Sequence, residues 1–245
     1  MRNIKLTIEY DGSRYAGWQV QGKKSRTIQE ALEKALARIL HKRLRVIGSG
    51  RTDAGVHAKG QVANFKTDSG MALGRLRGAL NAVLPDDISI IRIDEAALDF
   101  HSRFSARSKV YRYTILNRPS RPAISRDAAY FFPCPLDLRL MREEAKLLLG
   151  RHDFKSFQAA DKRERGSVRA IKKLVISRDR DFIHIDIEAD GFLYNMVRNI
   201  AGTLIEIGRG KLPRGSMKKI LLLKNRRFAG PTLPAKGLCL LEVKH

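Results

Sequence analysis

The chain has 245 residues, and its 48 Lys and Arg against 25 Asp and Glu give a formal net charge of +23 and a pI near 10.5. A field of this sign favours a polyanionic partner, of which nucleic acid is the most common. A chain of this length can form one larger domain or two small ones. Because no apolar run approaches the ~18 residues that a transmembrane helix needs, the sequence predicts a soluble, cytoplasmic protein with no membrane partner.

The first half of the chain predicts the element order β-α-β-β-α-β. Apolar residues alternate over 4–10, as in a strand with one buried face. Thr27 and Glu30 form a capping-box pattern, and apolar residues at helical spacing follow them, which predicts a helix from residue 28. The remaining elements of this half are two strands, a helix and a strand, predicted near 44–48, 61–65, 71–83 and 88–93.

The second half repeats that order. Its elements are a strand, a helix, two strands, a helix and a strand, predicted near 111–115, 137–149, 171–177, 182–188, 193–207 and 238–243. This order is the split βαβ, or ferredoxin-like, pattern. The sequence therefore predicts an α+β protein of two ferredoxin-like halves, residues 1–100 and 101–245, with the boundary near 92–107.

Positive charge is concentrated in three segments. Residues 103–126 hold seven Lys or Arg and no acid, and residues 208–228 hold eight and no acid. Residues 162–180 hold eight against Glu164 and Asp179. General solubility would account for part of the excess, but a solvated face normally mixes both signs of charge. The clustering therefore favours contacts with phosphates.

A glycine-rich turn, Gly-Ser-Gly-Arg-Thr-Asp-Ala-Gly-Val-His-Ala, occupies residues 48–58 between two predicted strands. Asp53 lies at its centre, and Arg51 stands two residues earlier, where it can hold the charge of the carboxylate. Spacing alone leaves two interpretations open: a catalytic carboxylate displayed on a loop, or an Asx turn that only folds the backbone. Tyr111 would fit a core position of a strand, whereas Arg198 is a charge in an apolar helix and needs a partner.

Five motifs, in order along the full chain, resemble the TruA type of tRNA pseudouridine synthase. The motif around Asp53 resembles the active-site signature of that family. The five motifs lie at 6–12 (Leu-Thr-Ile-Glu-Tyr-Asp-Gly) with 17–21 (Gly-Trp-Gln-Val-Gln), 50–57 (Gly-Arg-Thr-Asp-Ala-Gly-Val-His), 100–106 (Phe-His-Ser-Arg-Phe-Ser-Ala) with 111–113 (Tyr-Arg-Tyr), 195–199 (Asn-Met-Val-Arg-Asn) and 234–238 (Pro-Ala-Lys-Gly-Leu). The loop at 154–161 departs from the family because it lacks a cysteine that some relatives have, and its charged continuation at 162–165 is specific to this chain.

The resemblance implies a fold, a reaction and a site. The fold is that of the pseudouridine synthases, in which the mainly antiparallel sheets of two ferredoxin-like halves join around a central cleft. The reaction is the isomerisation of uridine to pseudouridine at positions 38, 39 and 40 of the tRNA anticodon stem-loop, by a homodimer. Asp53 is then the nucleophile, Tyr111 stacks on the uracil and can also receive the C5 proton, Arg198 pairs with the carboxylate, and Arg51 holds the RNA near the flipped base.

The reaction itself calls for neither a metal nor an organic cofactor, because it exchanges only protons. In agreement, the six His and two Cys have no metal-binding spacing. The carboxylate can attack C6 of the base or C1′ of the sugar, or act after a glycal forms; the sequence leaves these routes open.

Two other classes of protein are alternatives to a pseudouridine synthase. A non-catalytic RNA-binding module would explain the charge, and a hydrolase that releases the base would usually need a second carboxylate.

Overall fold

The computed structural model describes residues 1–21, 26–160 and 166–245. The chain divides into two compact units, and both combine helices with a mixed sheet. Unit 1 contains Met1–Arg107 and Cys239–His245, and unit 2 contains Ser108–Leu238. Within the described ranges, no helix is both long and apolar enough to span a bilayer.

Unit 1 is built on a sheet with the strand order β4-β1-β3-β10, and the short strand β2 also pairs with β3. The β1–β3, β1–β4 and β2–β3 pairs are antiparallel, whereas β10 runs parallel to β3. The elements are β1 (Arg2–Tyr10), α1 (Ile28–Leu40), β2 (Ile47–Gly48), β3 (His57–Thr67), α2 (Leu73–Val83), β4 (Ile88–Ala96) and β10 (Leu238–Lys244).

The N-cap of α1 and the alternating burial of β1, both predicted from the sequence, are confirmed in unit 1. Thr27 is the N-cap of α1, and its hydroxyl accepts a hydrogen bond from the Glu30 backbone N–H at 3.3 Å. The alternating side chains of β1 at Ile4, Leu6 and Ile8 are fully buried. Burial of a side chain of this size contributes about 1.5–3 kcal/mol, so the period-2 pattern determines which face of β1 meets the core.

Unit 2 is built on a sheet with the strand order β5-β9-β8-β7, all antiparallel, and a short strand β6 pairs in parallel with β5. The sheet residues Ile183, Ile185 and Ile187 alternate into the core and are fully buried. The elements are β5 (Ser108–Leu116), β6 (Tyr130–Phe131), α3 (Leu138–Lys146), β7 (Gly150–Asp153), β8 (Val168–Asp179), β9 (Phe182–Ala189), α4 (Met196–Gly208) and α5 (Ser216–Leu223).

The predicted turn over 48–58 is wrong at its end, because β3 already begins at His57. Cys239 and Leu240 of β10 pair with the first two residues of β3. A Cβ atom on Gly60 would lie 2.4 Å from the carbonyl oxygen of Leu241. Gly60 is therefore a strand residue that permits close approach of a neighbouring backbone.

Helix α5 was not predicted, and its N-terminus is stabilised from another element. The carboxylate of Glu144, on α3, accepts hydrogen bonds from the backbone N–H groups of Gly215 at 2.6 Å and Met217 at 2.9 Å. Glu144 is only 3% exposed. A cap supplied across 71 residues of sequence leaves no local capping pattern. The short strands β6 and β7 were also not predicted.

Candidate active site

Asp53 lies on the loop between β2 and β3, with its side chain half-buried, while Arg51 is exposed. The carbonyl oxygen of Asp53 accepts a hydrogen bond from the Val56 backbone N–H at 3.2 Å. Gly55, inside this tight turn, has φ +78°, a conformation that favours glycine. The loop therefore presents the carboxylate from a short turn whose backbone is fixed.

The segment that follows β1 braces this loop along its backbone. The Trp18 N–H donates to the Thr52 carbonyl oxygen at 3.0 Å, and the Gly55 N–H donates to the Tyr15 carbonyl oxygen at 3.3 Å. Gly17 has φ +96°, and a Cβ atom there would lie 2.5 Å from the Thr52 oxygen. Only glycine allows this close approach, so the motif at 17–21 supports the motif at 50–57.

The residue before Asp53 is also held by its side chain. The hydroxyl of Thr52 shares a 2.7 Å hydrogen bond with the Tyr10 phenol, and both residues are at most 5% exposed. Burial raises the pKa of the Tyr10 phenol above its ordinary value, so the phenol stays neutral and able to donate. Tyr10 at the end of β1 therefore anchors the loop one residue from the carboxylate.

We expect Thr52→Val to reduce the free energy of unfolding by about 1–3 kcal/mol, because it leaves the buried Tyr10 hydroxyl without this partner. Thr52→Ser keeps the hydroxyl and is the matched control, with a smaller loss expected. Urea unfolding of the two variants beside the parent chain measures the difference. If the valine and serine variants unfold at the same urea concentration, the Tyr10–Thr52 bond does not stabilise the loop.

Further hydrogen bonds tie both ends of the loop to the same scaffold. The side-chain N–H of Gln61 donates to the Gly50 carbonyl oxygen at 2.8 Å. His57, the last residue of the motif at 50–57, has its Nδ1 atom 3.1 Å from a carboxylate oxygen of Asp11 and 3.3 Å from the backbone N of Gly12. These contacts join the start of β3 to the turn after β1, so both ends of the loop are fixed within unit 1.

Tyr111 lies on β5 in unit 2 and is 7% exposed. Its ring meets Phe192 in a T-shaped contact, with the ring centroids 5.1 Å apart. In the sheet it stands opposite Ile187 of β9. The backbone of β5, paired with β9, and a neighbouring aromatic ring thus fix the position of this phenol.

Arg198 lies in the first turn of α4, where two hydrogen bonds orient its guanidinium. Its Nε donates to the Leu233 carbonyl oxygen at 2.6 Å, and its Nη1 donates to Asn195 Oδ1 at 2.8 Å. Asn195 precedes the helix with φ +59°, so α4 starts at Met196 and not near residue 193 as predicted. The motif at 195–199 thus supplies both the cation and one of the groups that orient it.

The segment that carries Leu233 is itself locked onto α4. The Asn199 side-chain oxygen accepts hydrogen bonds from Arg226 at 3.0 Å and from the Thr232 hydroxyl at 2.5 Å. A Cβ atom on Gly202 would lie 1.9 Å from the Pro231 carbonyl oxygen, so the helix and this segment are in close backbone contact. Asn199 and Gly202 are therefore supporting residues for the Arg198 guanidinium.

The four residues singled out from the sequence fall into two groups. Unit 1 carries Arg51 and Asp53, and unit 2 carries Tyr111 and Arg198. The braces described above were not predicted, although several of them lie inside the motifs that were noted. Across the ranges 1–21, 26–160 and 166–245, no group of three or more His, Cys, Asp or Glu could hold a metal ion.

Comparison with known proteins agrees with these motifs. A family model described as tRNA pseudouridine synthase matches residues 6–105 and 145–245, which include Asp53 and Arg198 but not Tyr111. A protein named tRNA pseudouridine synthase A from Caldicellulosiruptor bescii is 47% identical over 243 residues, 99% of each chain. A protein of the same name from Clostridium acetobutylicum is 45% identical over 100% of both chains. Another, from Geobacter sp., is 47% identical over 99% of this chain and 98% of its own.

Among solved structures, a chain of a Cbf5-Nop10-Gar1 complex aligns with 97% of this chain at 10% identity and a TM-score of 0.35. This chain covers 49% of that one, and so weak a likeness carries no argument. The family assignment rests instead on the matched ranges and on relatives that align from end to end. The signature around Asp53 lies on a braced loop, and the family model matches more than half of the sequence. The chain therefore belongs to the tRNA pseudouridine synthase family.

Proposed function

We propose that this enzyme isomerises uridine to pseudouridine at positions 38, 39 and 40 of the tRNA anticodon stem-loop, as a cytoplasmic homodimer. The observation that carries the proposal is the signature at 50–57 in a chain that is 47% identical, end to end, to a tRNA pseudouridine synthase A. In the reaction the N1–C1′ bond of uridine breaks, the uracil rotates, and a C5–C1′ bond forms. C5 loses a proton and N1 gains one, so atoms and electrons balance without a redox partner.

Two ferredoxin-like halves, residues 1–100 and 101–245, are part of this proposal. Unit 1 supports it because its elements run β-α-β-β-α-β and its strands have the order β4-β1-β3-β2. In unit 2 the elements β5, α3, β8, β9 and α4 follow the same order as far as its second helix, and the last strand of the proposed second half is β10, most of which belongs to unit 1. The joined sheet and the central cleft between the halves come from the resemblance to the family.

Asp53 is proposed as the group that promotes departure of the base. A carboxylate can do this covalently and can leave again once the new bond has formed. The braced loop supports this role, because a nucleophile held in one geometry does not lose orientational freedom on the way to the transition state. The Asp53 carboxylate has to be presented to the nucleoside in each case, whether it attacks C6, attacks C1′ or acts after a glycal forms.

Tyr111, Arg198 and Arg51 complete the proposed site. A base inside a helix is inaccessible, so the target uridine has to leave its stack, and the Tyr111 ring then supports the flipped uracil or its phenol receives the C5 proton. Arg198 pairs with the Asp53 carboxylate and keeps it ionised, and the two bonds that orient its guanidinium support this role. The exposed Arg51 contacts the RNA strand near the flipped base.

Hydrogen release tests the proposed reaction, because pseudouridine and uridine have the same mass. An unmodified tRNA with tritium at C5 of its uridines should lose label from positions 38–40 when the enzyme is added. Free uracil in the products would instead identify a hydrolase. Binding of the tRNA without release of label or of uracil would identify an RNA-binding module.

The affinity for tRNA is expected to fall steeply as salt rises, because the basic clusters displace counterions from the phosphates. The expected slope of log affinity against log salt is about −0.7 to −0.9 for each phosphate contacted. Several residues of the 208–228 cluster already have partners in the protein: Glu206 pairs with Arg209 and Lys211, and Glu143 with Arg214. The exposed Lys218 and Lys219 on α5 are better candidates for RNA contacts.

The double variant Lys218→Ala/Lys219→Ala should therefore reduce the steepness of the slope by about 1.4–1.8 if both side chains contact phosphates. Lys211→Ala is the matched control, because its Nζ atom lies 3.4 Å from Glu206, and it should change the slope less. Filter binding of unmodified tRNA at several salt concentrations gives the slopes. An unchanged slope in the double variant would remove α5 from the RNA interface. Lys162 and Arg163, which the sequence also suggests, lie outside the described residues.

A further inference from the structure

Phe104 is a large apolar side chain displayed to solvent outside the proposed site. It is 77% exposed, whereas Ser102, two residues earlier, is fully buried. Both belong to the turn at 101–105, in unit 1 between β4 and β5. The turn therefore offers an aromatic surface that a binding partner can use.

The backbone of this turn is fixed by several hydrogen bonds. The Ser105 N–H donates to the His101 carbonyl oxygen at 2.9 Å, closing the turn. The backbone N–H groups of Arg103 and Phe104 both point at the His101 Nδ1 atom, at 3.2 and 3.3 Å. Phe104 therefore extends from a turn that is already organised before any partner binds, which reduces the entropy lost on binding.

The turn is also anchored to the scaffold that carries the Asp53 loop. The Ser102 hydroxyl donates to the Ile47 carbonyl oxygen at 2.6 Å, and the Ser102 N–H donates to Asn64 Oδ1 at 3.0 Å. Ile47 is in β2, the strand that leads directly into the loop, and Asn64 is in β3, the strand that leaves it. The ring of Phe104 and the carboxylate of Asp53 are thus held by the same pair of strands.

The neighbours of Phe104 determine which chemistry fits it. The His101 ring lies with its centroid 4.3 Å from that of Phe104 at an interplanar angle of 33°, and the Arg103 guanidinium carbon lies 5.6 Å from the Phe104 centroid. An exposed aromatic ring with a guanidinium over it suits a flat base attached to a phosphate, because the aromatic and guanidinium planes can stack on the base and the cation can pair with the phosphate. An apolar peptide would use the ring but not the adjacent charge.

We propose that His101, Arg103 and Phe104 form a stacking platform for an unpaired nucleotide of the tRNA whose target uridine occupies the Asp53 site. This inference rests on the proposed function for the identity of the RNA. When the target base leaves its stack, neighbouring bases lose a stacking partner. The platform supplies a replacement surface on a part of the protein that is rigidly joined to the catalytic loop.

Binding of two RNA probes to variants at Phe104 tests the platform. The probes are an unmodified anticodon stem-loop with uridine at positions 38–40 and a fully paired duplex of the same number of nucleotides. Phe104→Ala should weaken binding of the stem-loop by about 5- to 150-fold, and Phe104→Trp should bind it within about twofold of the parent. Binding of the duplex should stay unchanged in both variants. Ile124→Ala is the matched control, since Ile124 is 99% exposed and lies in unit 2.

Two results would overturn the proposal: wild-type affinity of Phe104→Ala for the stem-loop, or an equal loss of affinity for stem-loop and duplex. Since the ring is exposed, the melting temperature of each variant should match the parent, which separates lost stacking from lost folding. Tritium release by the parent enzyme is measured in parallel. If the parent binds the stem-loop but releases no label, the proposed reaction fails, while the two binding measurements still decide whether the platform exists.

Discussion

Asp53→Asn is expected to abolish turnover and to leave tRNA affinity close to that of the parent enzyme. The amide keeps the size of the side chain and much of its ability to form turns, but it has no negative charge and cannot act as a nucleophile. Loss of a covalent nucleophile lowers turnover by on the order of 10⁴-fold or more. Tritium release from C5 measures turnover, and filter binding measures affinity.

Asp68→Asn is the matched control, because Asp68 is a carboxylate in the same unit whose side chain is 66% exposed beside Lys42. That variant removes the same charge and should keep the activity of the parent. Release of label by Asp53→Asn at the parent rate would show that another group performs the chemistry. Because the loop backbone is held by Thr52 and Gly55, the substitution should leave the loop in place, so a loss of activity reports on the carboxylate.

The order of the main elements was predictable because each depends on local chemistry. The Thr27 cap and the helical spacing after it give α1 its start, and the alternation of Ile183, Ile185 and Ile187 gives β9 its buried face. Helix α5 was not predictable in this way, since the group that caps it, Glu144, is distant in sequence. The early start of β3 was missed for the same reason, because its first residues pair with β10 and, at Ala58, also with Tyr10 of β1, both distant in sequence.

The candidate site was predictable in a different sense. The spacing of residues alone did not distinguish a catalytic Asp53 from one that only forms an Asx turn, and the resemblance to a family supplied its chemical role. What neither source predicted is the brace around the loop: the Tyr10–Thr52 bond and the close approach of Gly17. These contacts join residues 42 and 35 positions apart, and their effect depends on side-chain geometry that a sequence pattern does not contain. The motifs at 6–12 and 17–21 marked the right residues without revealing their function.

Tyr111→Phe is expected to stop the reaction after the new C–C bond has formed. The substitution keeps the ring and removes only the hydroxyl, so a phenol that receives the C5 proton would be lost while any stacking remains. The buried position of Tyr111 favours this role, since only 7% of the residue is exposed and Phe192 already packs against it. Single-turnover assays that follow C5 label and conversion of the nucleoside separately would reveal such a stall.

Tyr111→Leu separates the two functions of the ring, because it removes the stacking surface as well as the hydroxyl. If stacking dominates, the phenylalanine variant stays active and the leucine variant loses about 1–3 kcal/mol of base binding. If proton removal dominates, both variants stall alike, and this is the result we expect. Tyr130→Phe, which removes a hydroxyl from a half-buried tyrosine of β6, is the control and should keep the parent rate. Conversion by Tyr111→Phe at the parent single-turnover rate would end the assignment of Tyr111 as the proton acceptor and leave it a stacking residue.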